Sequence, residues 1–366
     1  MSEDKKMNVA FAAIDSYIES HIVKPTETLN TGRNMVEWGA GNCYPEYLLS
    51  LYDETPTLQA IINGNVDYIS GDDVLLREGL TLNAKGETAR EMVRLCALDK
   101  ELFGGYALQV IRAIDGTIAE IYHLDMRYIR MNKEANVFYY SEKWGKFRTS
   151  DVVKYPAFMP NIDWAALDDE QRLENASSIL FVKDVNKKTY PTPKYSAAVK
   201  ACEIERCIGE YHLNSINNNF SGSVIFNLND GVPDDEQKEE IEKDFNEKFC
   251  GHDNGGRVML SFNSDKDHAV TITEPRILDF SSRYDALQKY SRQQLFTSFR
   301  ANPNLFGIPT ENLGFSSEEY ESAFTLYNKT QIQPIQDTII SSFERIYGEG
   351  VIEIKPFTLQ SNTQNV

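Results

Sequence analysis

Two stretches, KYSAAVKACEIERCIGEYHLNSINNN at residues 194–219 and SSRYDALQKYSRQQLFTSFR at 281–300, decide how this chain is organised. In the first, Ala197, Ala201, Ile204, Ile208 and Tyr211 recur at spacings of three and four, which places them on one face of a helix. A helix of about 25 residues is roughly 37 Å long. In the second, Tyr284, Leu287, Leu295 and Phe299 mark a looser stripe of a helix that returns. Residues 223–277 between them read as a strand, an acidic helix, a glycine turn and two strands. A small α/β lobe set between two long helices is unusual for a soluble enzyme and suits a part that protrudes and meets partners.

The totals bound the answer. The 366 residues allow two domains, or one core with appendages, and a hydrophobic content of 41% suits a globular chain. A net charge of −18 and a pI near 4.8 argue against a sequence-reading DNA binder, which shows a basic footprint. The same charge allows DNA as a neighbour that is not gripped. No run of 18 apolar residues suggests a membrane span, and the start MSEDKKMN lacks the apolar core of a signal peptide. The five cysteines (Cys43, Cys96, Cys202, Cys207, Cys250) are odd in number and lack metal-site spacing, so they read as buried, reduced thiols in a cytosolic setting.

Outward from the helix pair, the N-terminal side reads as an α+β body. Residues 7–22 suggest a short helix and 31–45 an irregular arm, in which Trp38 and Tyr44 either anchor on a neighbour or, more plainly, pack locally. Leu58, Ile61, Ile62, Val66 and Ile69 have helical spacing, closed by Gly71. A short strand is expected at 74–77. A second amphipathic helix spans 87–103, with Met92, Leu95, Cys96 and Leu102 in its stripe. The period then changes to two: 106–114 and 117–124 flank Asp115-Gly116, a two-residue hairpin signal. Strands at 128–131, 137–141, 146–148 and 152–155 extend an antiparallel meander packed on the two helices. A polar insert around Trp164 and a strand at 179–182 precede the stiff lead Tyr190-Pro191-Thr192-Pro193. Beyond the helix pair, Ser316 and Glu319 have capping-box spacing, and Pro334 predicts a kink in the last helix. A terminal strand is expected at 351–354.

No catalytic constellation appears. The histidines (His21, His123, His212, His252, His268) are scattered, and nucleophile-elbow, zincin, Walker and dinucleotide motifs are missing. Asp230, Asp234, Asp235, Glu236, Glu239 and Glu240 have the three- and four-residue spacing of a Mg²⁺ site. A solvated helix start whose carboxylates favour the dipole explains them better.

Taken in order, several stretches carry a resemblance: LFGGYALQVIR at 102–112 with HLDMR at 123–127, YPTPKY at 190–195, NNNFSG at 217–222, KFCGHDNGGR at 248–257, LFGI at 305–308 and KTQIQP at 329–334. Over roughly residues 57–347 the chain resembles the portal proteins of tailed bacteriophages and prophages. The resemblance implies an N-terminal arm (1–56), an α+β wing (57–192), a first stem helix (193–222), a clip lobe (223–278), a second stem helix (279–305), a tunnel loop (306–316) and a kinked C-terminal helix with a short crown-side tail (317–366). It implies a non-enzymatic ring, usually of twelve subunits, at one capsid vertex of the virion, made in the host cytoplasm and without a cofactor. Double-stranded DNA would pass through it during packaging and ejection. Its partners would be the terminase large subunit, a head-completion or adaptor protein, and capsid and scaffolding proteins. The residues implied to face DNA are Thr310, Glu311, Asn312, Leu313, Gly314 and Phe315. Those implied to dock partners are Asp235, Glu239, Glu242, Asn254 and Arg257. The charge agrees, because an acidic conduit avoids the counterion-release attraction that would stall sliding. Two other classes stay open at this point: a Mg²⁺-dependent hydrolase using the cluster around Asp235, and an unrelated cytosolic oligomeric scaffold.

Overall fold

The computed structural model describes residues 22–144, 151–217, 224–228, 258–262, 280–308 and 316–358. The chain is α+β. Its contacts divide it into two units, with breaks at Glu203/Ile204 and Ser291/Arg292.

In the first unit the core forms around three helices: α1 (Tyr44–Glu54), α2 (Pro56–Ser70) and α3 (Ala89–Phe103). All five apolar positions read on α2 are buried, as the spacing required. On α3, Met92, Cys96 and Leu102 are buried, but Leu95 lies at the edge of the stripe and is exposed. Thr88 and Glu91 cap the start of α3 reciprocally. Gly104 ends it at φ 86°, in the left-handed region, and a Cβ there would stand 2.6 Å from the Thr192 carbonyl oxygen. The stiff lead into the long helix therefore lies directly on the end of α3.

The strands do not form one meander. Strand β4 (Gly105–Arg112) pairs with β5 (Ile118–Leu124) and β9 (Ser177–Lys183) in a three-stranded antiparallel sheet. The turn is longer than the two-residue signal implied: Ala113 N donates to Thr117 O at 2.8 Å, which leaves Ile114, Asp115 and Gly116 in the turn, and a bulge at Ala119 of β5 shifts the register between Ile111 and Arg112. A second, five-stranded sheet runs in the order β1 (Glu27–Asn30), β2 (Met35–Trp38), β6 (Ile129–Met131), β7 (Val137–Tyr140), β8 (Val153–Pro156). The expectation of an irregular arm at 31–45 is thus corrected. β1 and β2 form a hairpin in this sheet, Trp38 stacks on Tyr190 at 4.5 Å, and Trp38 and Tyr44 are both buried. The local reading of these aromatics holds because the hairpin is completed by β6, far along the chain. Strand β3 (Asp73–Leu76) pairs with the terminal β12 (Ile352–Lys355). The expected elements at 7–22 and 146–148 lie outside the described residues.

The polar insert holds a short helix, α4 (Asp169–Asn175), capped by Asp168 and Gln171. The outgoing helix starts as a 3₁₀ segment (Lys194–Ala198) and continues as α5 (Val199–Asn217). Three residues per turn in that first segment shift the phase of the stripe. Tyr195, Ala198, Val199 and Cys202 are buried with Ala201 and Ile208, whereas Ala197 and Tyr211 are exposed.

In the second unit, strands β10 (Val224–Leu228) and β11 (Val258–Phe262) pair in parallel, which requires a crossover between them. The expected acidic helix at 233–250 and the strand at 270–273 lie outside the described residues. Tyr211 of α5 stacks on Tyr284 of the returning helix α6 (Phe280–Phe299) at 4.6 Å.

The last helix is interrupted as Pro334 predicts, and the interruption takes a specific form. α7 (Ser317–Tyr327) widens into a π turn (Asn328–Ile332) and resumes as α8 (Gln333–Tyr347), with Pro334 in the first turn of α8. A proline lacks the N–H and crowds the preceding carbonyl, and a wide turn relieves both demands without ending the helix.

Candidate functional site: the loop anchors and the polar network beneath them

The residues expected to form a tunnel loop, Thr310, Glu311, Asn312, Leu313, Gly314 and Phe315, lie outside the described residues; the segments before and after them are described. On the near side, α6 ends at Phe299. The Asn302 side chain then accepts from the Asn304 N–H at 3.1 Å, and Pro303–Phe306 makes a single 3₁₀ turn closed by Gly307. Ile308 N donates back to Pro303 O at 3.2 Å. On the far side the capping box expected from spacing is present: Glu319 N donates to Ser316 Oγ at 3.2 Å, and Ser316 N donates to Glu319 Oε2 at 3.0 Å.

The near anchor is pressed onto the core. One edge of the Phe306 ring, its Cδ1 and Cε1, abuts Gly64 of α2, where an added Cβ would be 2.6 Å from Cδ1. The same ring meets Tyr68, Phe296 and Tyr327 at centroid distances of 5.9–6.0 Å. Tyr68 Oη donates to Leu305 O at 2.6 Å, and burial pushes this phenol well above its usual range. Beneath lies a chain of buried polar groups. Tyr327 Oη donates to Asn65 Oδ1 at 2.7 Å, and Asn65 Nδ2 donates to Glu101 Oε2 at 2.7 Å. Lys194 Nζ reaches Glu101 Oε1 at 2.9 Å. Glu101 is 0% exposed, so its charge is tolerable only because each oxygen has a donor. The network ties α2, α3, the start of the outgoing helix and α7 into one base. It offers neither an open nucleophile nor an exposed base, and its chemistry is positional. Beside it, Arg300, Asn302, Leu305, Leu326 and Thr330 line an open cleft of about 390 Å³.

Other charged groups are enclosed in this unit as well, among them the His123–Asp99 pair and Arg130. His123 Nε2 lies 2.8 Å from Asp99 Oδ2, which also accepts from Met126 N at 3.3 Å. Burial works against the imidazolium, but the Asp99 carboxylate outweighs it, aided by their hydrogen bond, Asp125 and Glu87, and the His123 pKa is raised. Arg130 is enclosed between the Trp38 and Trp144 rings, at 5.8 and 5.1 Å. Its guanidinium donates to Asn42 Oδ1 and to the carbonyl oxygens of Asn42, Arg127 and Ile129. Burial draws its pKa down to about 10.

The acidic cluster around Asp235 and the partner-docking residues Asp235, Glu239, Glu242, Asn254 and Arg257 lie outside the described residues, as do His21, His252, His268 and Cys250. Among the described residues no group of three or more His, Cys, Asp or Glu is placed to hold a metal ion, and no helix is long and apolar enough to cross a membrane. Sequence reading missed the Asn65–Glu101–Lys194–Tyr327 network entirely. Its members are dispersed over the chain, and the one local signal was a polar Asn65 on the apolar face of α2.

No protein-family model and no curated protein matches the chain. Solved structures do. A chain in the neck of the native gene transfer agent (GTA) particle, computed with C12 symmetry, is 15% identical at a TM-score of 0.53, over 87% of this chain and 86% of that one. A chain of the virion of the native GTA particle is 16% identical at a TM-score of 0.51, over 84% and 83%. The crystal structure of an HK97-family phage portal protein from Corynebacterium diphtheriae covers 85% of this chain and 93% of its own, at 9% identity and a TM-score of 0.46, a likeness too slight to bear on fold or function. The chain has the fold of a chain of the GTA particle neck.

Proposed function

We propose that this chain is a portal protein: a subunit of a homo-oligomeric ring at one vertex of a phage-type virion, through which double-stranded DNA is packaged and ejected. The observation that carries the reading is the fold shared with a chain of a particle neck described with twelvefold symmetry, over nearly the whole of both chains. It agrees with the order of portal-like stretches in the sequence and with a net charge of −18, which keeps a conduit from gripping phosphate. In this reading Thr310 to Phe315 form the loop that faces DNA, held by the Ile308 and Ser316 anchors. Asp235, Glu239, Glu242, Asn254 and Arg257 belong to the lobe that docks the terminase and head-completion proteins. The role is structural and needs no cofactor. Negative-stain imaging and light scattering of the purified protein test it: closed rings with an axial opening are expected. A monomer at every salt and protein concentration would overturn it.

A further inference from the structure

The hairpin joining β4 to β5 holds an isoleucine out in water. Ile114 is 95% exposed at its tip. The tip is nonetheless built rigidly. Gly116 has φ 90°, and an added Cβ would meet the Trp164 ring at 2.4 Å. Trp164 Nε1 donates to Ile114 O at 2.9 Å. Arg112, stacked between Phe158 and Trp164, donates to Gly116 O at 2.8 Å and to Met159 O at 3.0 Å. Met159 and Leu173 on the bracing segments are exposed as well. Their surroundings are acidic: Asp115 adjoins Ile114, and Asp163, Asp168, Asp169, Glu170 and Glu174 belong to the bracing insert. A stiff, solvated apolar tip with a carboxylate beside it is the form of a preorganised anchor, which loses little freedom on docking.

A cleft with apolar walls and a cationic lining lies in the same unit. The β1–β2 turn and strands β7 and β8 enclose a cleft of about 340 Å³. Its apolar walls are Met35, Tyr139, Trp144 and Val152, and its charged lining residues, Arg33 and Lys154, are both cationic although the chain as a whole is strongly acidic. The walls are fixed in advance. Trp144 Nε1 donates to Tyr128 O at 2.9 Å, Arg130 braces the same ring, and Tyr139 Oη donates to Arg33 O at 3.1 Å. Tip and cleft are distinct sets of residues: Ile114, Asp115, Met159 and Leu173 are not among those that line the cleft.

We propose that the Ile114 tip of one copy seats in the Arg33–Lys154 cleft of a second copy, with Ile114 on the aromatic wall and Asp115 toward the cations. Two different patches that complement each other make a head-to-tail contact, the kind that generates rings when the rotation closes. The inference rests on the reading of the chain as a ring subunit, and it names where adjacent subunits lock.

The test uses the full chain in a Cys43→Ser/Cys250→Ser background, which removes the cysteine exposed among the described residues, where a buried thiol was expected, and the one that lies outside them. Ile114→Cys and Thr31→Cys, the second at the cleft mouth, are made separately, assembled together and mildly oxidised. A covalent dimer is expected in the mixture and in neither variant alone. Rings that form from the mixture without a cross-link overturn the inference while leaving the portal reading intact, as does a disulfide dimer from Ile114→Cys alone. A parent that never assembles overturns both. Separately, Ile114→Asp, at a position that buries almost nothing in the monomer, is expected to raise the concentration for half-assembly at least tenfold. Unchanged assembly of that variant counts against the inference.

Discussion

His123 shows how much one buried side chain depends on its partner. Its imidazole and the Asp99 carboxylate are 2.8 Å apart, and Asp125 and Glu87 also favour the proton. The folded pKa is therefore above the ordinary 6.5, and the folded chain binds this proton more tightly than the unfolded one. The stability from the His123 proton is fully present below about pH 6.5, as long as Asp99, whose own pKa burial raises, keeps its charge, and it is lost as the pH rises through the folded His123 value. The melting temperature of the parent is thus expected to fall more steeply than that of His123→Gln between about pH 6.5 and pH 8.5. Parallel curves would show that the pair does not titrate in this range. Glu101 carries the matching prediction for the network beneath the Leu305–Phe306 turn. Glu101→Ala strands the Lys194 ammonium and leaves Asn65 without its acceptor, a change expected to cost about 3–5 kcal/mol. Denaturant unfolding measures it, and a loss under about 1 kcal/mol would place this charge outside the stabilising core.

At the scale of elements, the decisive contact is Phe306 lying on Gly64. It explains how one 3₁₀ turn after α6 is held without a long segment to bury. Gly64→Ala drives a methyl into the ring, and overpacking of this kind costs about 1–3 kcal/mol. The sign should reverse in a Phe306→Ala background. There the methyl meets no ring, and alanine is favoured over glycine within a helix by about 1 kcal/mol. Equal effects of Gly64→Ala in both backgrounds would show that the two residues are not coupled. The far anchor is simpler, and its cap was legible because Ser316 and Glu319 are three residues apart in sequence. The near anchor was not legible, because Gly64 and Phe306 lie on elements distant in the chain.

For the whole molecule, the proposed conduit places Glu311 on a loop repeated around the axis. Glu311→Lys then converts a ring of negative charges into a collar of positive ones. DNA retention by isolated rings is expected to appear, with a steep salt dependence that the parent lacks, while ring formation continues. Packaged DNA in particles built from this variant should be short or missing. Normal packaging through rings that all carry the lysine would show that the loop does not face DNA.

What the sequence determined by itself is local. The α2 and α3 helices, the Ser316–Glu319 cap, the interruption at Pro334 and the two long helices all follow from spacings within a turn or two, where backbone geometry dictates which residues are neighbours. The charge balance and the order of portal-like stretches also stand in the chain as written. Only the tertiary structure decided the rest. It split the expected meander into two sheets, because strand partners are chosen by non-local burial, and β2 finds β6 across more than 90 residues. It turned the arm around Trp38 into a hairpin of the core. It joined Asn65, Glu101, Lys194 and Tyr327, whose positions share no period, because a buried carboxylate must find donors wherever the fold brings them.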